Sequence, residues 1–150
     1  MVASWVAIAF FSSLLGSKFG GEWLKATGPS WMPESMKVTV SKNQLTETFF
    51  PSIGYGLETI RLVVDGKQHT WTQREAPLDL STKTYTAQLT KDTFVLTTRS
   101  KYVDHPGEFF ETEQWSLEDG GKDLVISNHN GQAVYRRASW FRSFFMTNEP

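Results

Sequence analysis

One stretch sets acids and aromatics at a spacing that suits chemistry: EFFETEQWSL, Glu108 to Leu117. If it is a strand, Phe109, Glu111, Glu113, Trp115 and Leu117 share a face, because strand side chains alternate. A carboxylate turned inward must find a partner or hydrogen bonds, or its pKa rises. Arg99 lies across the Asp104–Gly107 turn and is the candidate partner. Paired with Glu111 or Glu113, it would form a polar anchor inside a ligand cavity. The competing reading leaves these acids at the solvent end of the strand, or turns them outward through a bulge. The cost of an inward charge favours that second reading.

A second stretch, HTWTQ, puts His69, Trp71 and Gln73 on one strand face, with Tyr85 in the next strand. A histidine inside a barrel can ligate haem iron or polarise a carbonyl. His69 stands only three residues beyond Gly66, so a surface or hydrogen-bonded histidine beside an Asp-Gly turn is the simpler reading. His105 and His129 fall in turns. Histidines scattered in this way, with no HExxH pair, predict no metal site. The chain has no cysteine, which removes thiolate ligands, disulfides and a cysteine nucleophile.

Other enzyme templates are missing too. No G-x-S-x-G elbow, P-loop or dinucleotide glycine motif is present. GYGLE, Gly54 to Glu58, is not followed by a helix and so is no phosphate cradle. It reads as a loop at a barrel mouth that carries Tyr55. PSWMPE, Pro29 to Glu34, is another mouth candidate, whose Trp31 and Met32 could cover an apolar cavity. A cofactor-free cyclase or isomerase using Glu113 and Tyr85 as acid and base would need a carboxyl of raised pKa in a cavity. The sequence predicts no cofactor and no catalytic residue.

The elements that must position these residues are strands. MKVTVS (36–41) and QLTETFF (44–50) alternate around Lys42-Asn43. LETIRLVV (57–64) and KQHTWTQ (67–73) flank Asp65-Gly66, the strongest hairpin signal in the chain. KTYTAQL (83–89), TFVLTTRSK (93–101), EFFETEQWSL (108–117), DLVISNH (123–129) and QAVYRR (132–137) follow, separated by short turns. With GEWLK in front, about ten short strands result, and no helical period interrupts them. Short connections imply antiparallel neighbours, and rolling the meander up removes its exposed edges. The predicted class is all-β: an antiparallel up-and-down barrel of about 8–10 strands in a single domain. A net charge of −1 without a basic block excludes a nucleic-acid partner.

The ends differ from the middle. Val2 to Leu15 is almost unbroken apolar or small sequence, the length of a signal-peptide core and too short for a comfortable membrane span. Residues 1–17 are therefore expected to be an export signal, or else an N-terminal apolar helix packed on the domain. Residues 18–137 form the barrel and 138–150 an aromatic tail. In that tail Trp140, Phe141, Phe144 and Phe145 would share one side of a helix, beside Arg142. The simpler reading packs the tail on the barrel, and the sharper one makes it a membrane-surface or protein contact.

Gly21-Glu22-Trp23 on the first strand, with Arg136 and Arg137 on the last, resembles the lipocalin and calycin plan. VDGKQHTW, EQWSLEDGGKDL and the closing VYRR extend the resemblance to the small secreted lipocalin-like domains of bacteria, over roughly residues 19 to 137. The resemblance implies that Trp23 closes one end of the barrel, that Arg136 or Arg137 stacks across its ring, and that Gly21 lets the backbones approach. It also implies a secreted or periplasmic protein. The expected function is binding of a small hydrophobic molecule by a monomer, without catalysis, with Trp71, Tyr85, Arg99, Glu113 and Trp115 as ligand contacts. The alternative is a filled barrel that serves as an interaction module.

Overall fold

The computed structural model describes residues 18–49, 57–71, 81–90 and 92–138. The expected leader and nearly all of the tail lie outside these residues, as do Tyr55 and Gln73. Among the described residues ten strands form one sheet: β1 (Gly21–Thr27), β2 (Ser35–Ser41), β3 (Gln44–Phe49), β4 (Glu58–Val63), β5 (Gln68–Thr70), β6 (Ser81–Leu89), β7 (Thr93–Tyr102), β8 (Phe109–Glu118), β9 (Asp123–Asn128) and β10 (Gly131–Arg137). The order β4-β3-β2-β1-β10-β9-β8-β7-β6-β5 is antiparallel throughout, which makes an up-and-down, nearly closed barrel. Its first and last strands pair, with Trp23 opposite Arg137.

Alternation decides which side chains enter the barrel. Trp23, Met36, Val38, Leu45, Leu62, Tyr85, Ala87, Phe94, Trp115, Leu124, Ile126, Ala133 and Tyr135 form one buried cluster. Their register neighbours fall on the same face: Phe94 stands opposite Trp115, and Trp115 opposite Ile126. The intervening positions, such as Lys37, Arg61 and Arg136, are exposed. Period-two patterning therefore sets the register, since a slip of one residue would turn the whole apolar set to water.

The connections between successive strands alternate between two ends. At the base Trp23 is fully buried, its Nε1 donates to the Phe19 carbonyl at 2.9 Å, and the Arg137 guanidinium lies 4.3 Å from its ring centroid. Arg137 also donates to the carbonyls of Gly121 and Gly20, each at 2.7 Å, and of Lys18. A Cβ on Gly21 would come within 2.8 Å of the Arg137 Nη1, so this glycine is set by close approach. Arg136 points the other way and pairs with Asp123 at 3.5 Å. Of the two arginines, Arg137 is the one that covers the indole.

The Asp65-Gly66 turn forms, but the hairpin expected around it does not. β4 and β5 stand at opposite ends of the sheet order, with no ladder between them. The backbone groups that would have paired are satisfied elsewhere. The Val63 N–H donates to the Tyr85 hydroxyl at 3.0 Å, and the Gly66 N–H to the Ala87 carbonyl at 3.0 Å. Asp65 accepts from the Lys67 N–H at 2.9 Å and holds His69 Nε2 at 2.8 Å. The His69 ring in turn stacks on Tyr85, 5.5 Å between centroids. A side chain thus bridges the seam that a ladder would otherwise close. Tyr85→Phe is expected to lower stability by about 1–3 kcal/mol, because it leaves the Val63 donor without an acceptor. Urea unfolding would show this, and an unchanged midpoint would argue that the hydroxyl does not hold the seam.

Candidate functional site

The lumen above the base is the candidate site. Glu113 of β8 shares the inward face with Trp115, and the Trp115 Nε1 donates to its carboxyl at 2.6 Å. β3 contributes a second acid. Glu47 stands opposite Val38 on one side and Ile60 on the other, with Leu45 buried on its own strand. In the order of ten strands β3 and β8 lie half a circuit apart, so the two carboxyls approach from opposite walls. Tyr135 of β10 is fully buried on the same face and donates its hydroxyl to the Pro33 carbonyl at 3.0 Å.

Electrostatics follow from this enclosure. Burial first, and then the Glu113 charge, push the Glu47 carboxyl up to about 8. Burial also raises Glu113, opposed by the Trp115 hydrogen bond and reinforced by Glu111. Tyr135 is held well above the ordinary tyrosine value, by burial and then by Glu47, Glu113 and Glu34. The acids raise one another here, and the groups they act on favour their neutral forms.

Glu47 is enclosed by protein yet keeps accessible surface. Ile60 beside it and Leu96, which faces Glu113 in the register, also pack on the core without being fully covered. At the base, between the Lys42-Asn43 turn and Leu89, lies a cavity of about 140 Å³, lined by Phe19, Val40, Leu45 and Phe94. The opposite end is marked by apolar exposure. Trp31, Leu57, Tyr102, Val103, Phe109 and Phe110 are the exposed large apolar residues among those described. All six sit in or beside connections of that one end, which makes it the mouth.

The residues singled out from the sequence separate into three places. Trp71 packs edge-on against Tyr85, 5.5 Å between centroids, beside the seam. Its buried Nε1 has no hydrogen-bond partner. Glu113 and Trp115 meet on β8. Arg99 joins neither group: it stands opposite Thr84 and Phe110, on the outer face, and its Nε donates to Glu108 at 2.8 Å. The anchor expected between Arg99 and Glu111 or Glu113 is therefore not formed, because β7 and β8 pair in a register that sends Arg99 outward. Glu111 is exposed, 3.9 Å from His129. Glu47 and Tyr135 were missed, although Leu45-x-Glu47-x-Phe49 and Ala133-x-Tyr135-x-Arg137 carry the same alternation. Among the described residues no group of three His, Asp or Glu could hold a metal ion.

No protein-family model and no curated protein matches the chain. Solved structures do. The REP1-NXSQ fatty acid transporter aligns with a TM-score of 0.55 at 8% identity, covering 81% of this chain and 97% of the transporter. A point mutant of that transporter aligns with a TM-score of 0.58 at 6% identity, covering 81% and 99%. The likeness is one of fold. At this identity it confirms the nearly closed barrel and leaves the side chains of the lumen to be read on their own terms.

Proposed function

We propose that the protein is a binding barrel that carries a small hydrophobic molecule in its lumen. The observation that carries this reading is the accessible surface kept by enclosed side chains on the inner walls, at Glu47, Ile60 and Leu96. A filled barrel would cover them. An apolar mouth at one end and an arginine-capped base at the other suit entry from one side. The similar structures are described as a fatty acid transporter, a cargo of the same broad class.

Two measurements test it. Native mass spectrometry of gently purified protein should show a small added mass that is lost on denaturation. Diphenylhexatriene, a neutral apolar probe, should brighten saturably at a stoichiometry near one. A barrel that carries no mass and takes up no probe would belong to the alternative class of interaction modules.

Raised carboxyls also meet one requirement of a cofactor-free isomerase. Of the tyrosine hydroxyls that would serve with them, Tyr135 donates its proton to the Pro33 carbonyl and Tyr85 accepts from the Val63 N–H, so each is held in a structural contact. That commitment favours carriage over catalysis. The apolar run from Val2 to Leu15 suits export, and we include a secreted or periplasmic location in the proposal. A denatured mass short of about residues 1–17 would support it, and an intact N-terminus in the mature protein would count against it.

A further inference from the structure

Among the described residues, no positive charge acts on Glu47 or Glu113. On the lumen face of the described residues the lysine and arginine side chains are Lys25, Lys83 and Arg137, and each is engaged. Lys25 Nζ is held under the β1–β2 connection by the carbonyls of Pro29 at 3.1 Å and Met32 at 2.8 Å and by Glu34 at 2.6 Å. Arg137 closes the base. Lys83 has an interaction of its own near the mouth. His69 is taken by Asp65 at the seam. Glu47 gains no hydrogen bond that would favour its charged form, and its resolved electrostatic neighbour is another acid. An inward carboxyl without a hydrogen bond, faced by a second carboxyl from the opposite wall, is a costly arrangement in an empty barrel.

A cargo can relieve that cost or add to it. A carboxylate head group would bring a negative charge between two walls whose own carboxyls already resist ionisation. An ammonium head group would favour the ionised forms of Glu47 and Glu113 and donate a charge-assisted hydrogen bond to each, and the Tyr135 oxygen has a lone pair left to accept a third. The apolar remainder of the molecule would lie along Ile60, Leu96 and the other walls. We propose that the cargo is an amine: a molecule with an apolar body whose protonated nitrogen sits between Glu47 and Glu113. This deepens the carrier reading and rests on it.

Proton uptake and release follow from the geometry. Near neutrality the enclosed Glu47 carboxyl holds its proton, and an arriving ammonium group ionises it, so that binding releases a proton to solution. The other titratable groups on these walls are Glu58 of β4 and Glu111 of β8 nearer the mouth, with Tyr135 on β10. None of them supplies a compensating positive charge.

The test is competition against diphenylhexatriene at pH 7 by dodecylamine, dodecanol and dodecanoic acid, each below its micellar concentration. Dodecylamine is expected to displace the probe at least about tenfold more tightly than the acid or the alcohol. Its heat of binding should also differ between phosphate and Tris by the proton released. In Glu47→Gln and Glu113→Gln, singly and together, the preference for amine over alcohol should shrink to within about twofold. Circular dichroism would confirm that each variant is folded, and the single variants suffice if the double one is not. An alcohol as tight as the amine would overturn the proposal, as would an acid that binds best or a preference that survives both substitutions. Absence of probe binding in the parent protein would instead overturn the carrier reading itself.

Discussion

Replacing Trp23 by alanine is expected to cost about 3–5 kcal/mol of folding stability, the range for deleting a large buried aromatic side chain. Three losses coincide at that position. The indole leaves a cavity at the base of the barrel among fully buried neighbours. The Phe19 carbonyl loses the donor that holds the segment before β1 against the barrel floor. The Arg137 guanidinium, stacked 4.3 Å from the ring centroid, loses the face that shields it. Trp23→Phe should recover much of the packing but not the 2.9 Å hydrogen bond, and so should fall between the two. Urea denaturation followed by circular dichroism reads both values. If the alanine variant melted with the parent, Trp23 would not be closing the base.

A second large effect concerns pH. Glu47 rises from an ordinary 4.5 to about 8 in the folded barrel. In the unfolded chain it ionises freely above about 4.5, whereas the fold holds it neutral. Its influence on stability is therefore absent below pH 4.5, where both states carry the proton. Stability is then lost progressively as pH climbs to about 8, and no further loss follows beyond that. The separation corresponds to roughly 3–5 kcal/mol, a large share of the 5–15 kcal/mol typical of a whole domain. Glu113, raised for the same reason, acts in the same direction. Unfolding midpoints measured at pH 5 and pH 8 should thus fall steeply for the parent protein. In Glu47→Gln the fall should be much shallower, leaving that variant the more stable of the two at pH 8. Parallel pH profiles would show that Glu47 is not held neutral by the barrel.

These acids mark where sequence reasoning reached and where it stopped. The barrel was legible because the turns at Lys42-Asn43 and Asp119-Gly121 are local, and alternation needs only neighbouring residues. The closing contact on Trp23 was implied by the lipocalin-like resemblance, which left Arg136 and Arg137 open until the sheet turned Arg137 inward. Glu113 was legible because Trp115 stands two residues away on the same face. Its true counterpart was not, because Glu47 and Glu113 lie on opposite walls, and nothing local states which strands face each other. Arg99 was misplaced for a related reason. A turn between two strands brings their ends together, but alternation from the buried Phe94 puts Arg99 on the outer face of β7. The Asp65-Gly66 hairpin failed because a turn signal reports a reversal of the chain. It cannot report that a tyrosine on β6 will take the donor at Val63.

The bridge at Val63 and Tyr85 has a mechanical meaning. Everywhere else around its circumference, the cylinder can widen only by tearing a row of backbone bonds at once. Along this one line, among the described residues, the join is a handful of separate contacts, Tyr85 to Val63, Gly66 to Ala87 and Asp65 to His69, with residues 64–67 acting as the pin of a hinge between two adjoining staves. That line is therefore the weakest join in the wall, since every other neighbouring pair of described strands is held by a ladder.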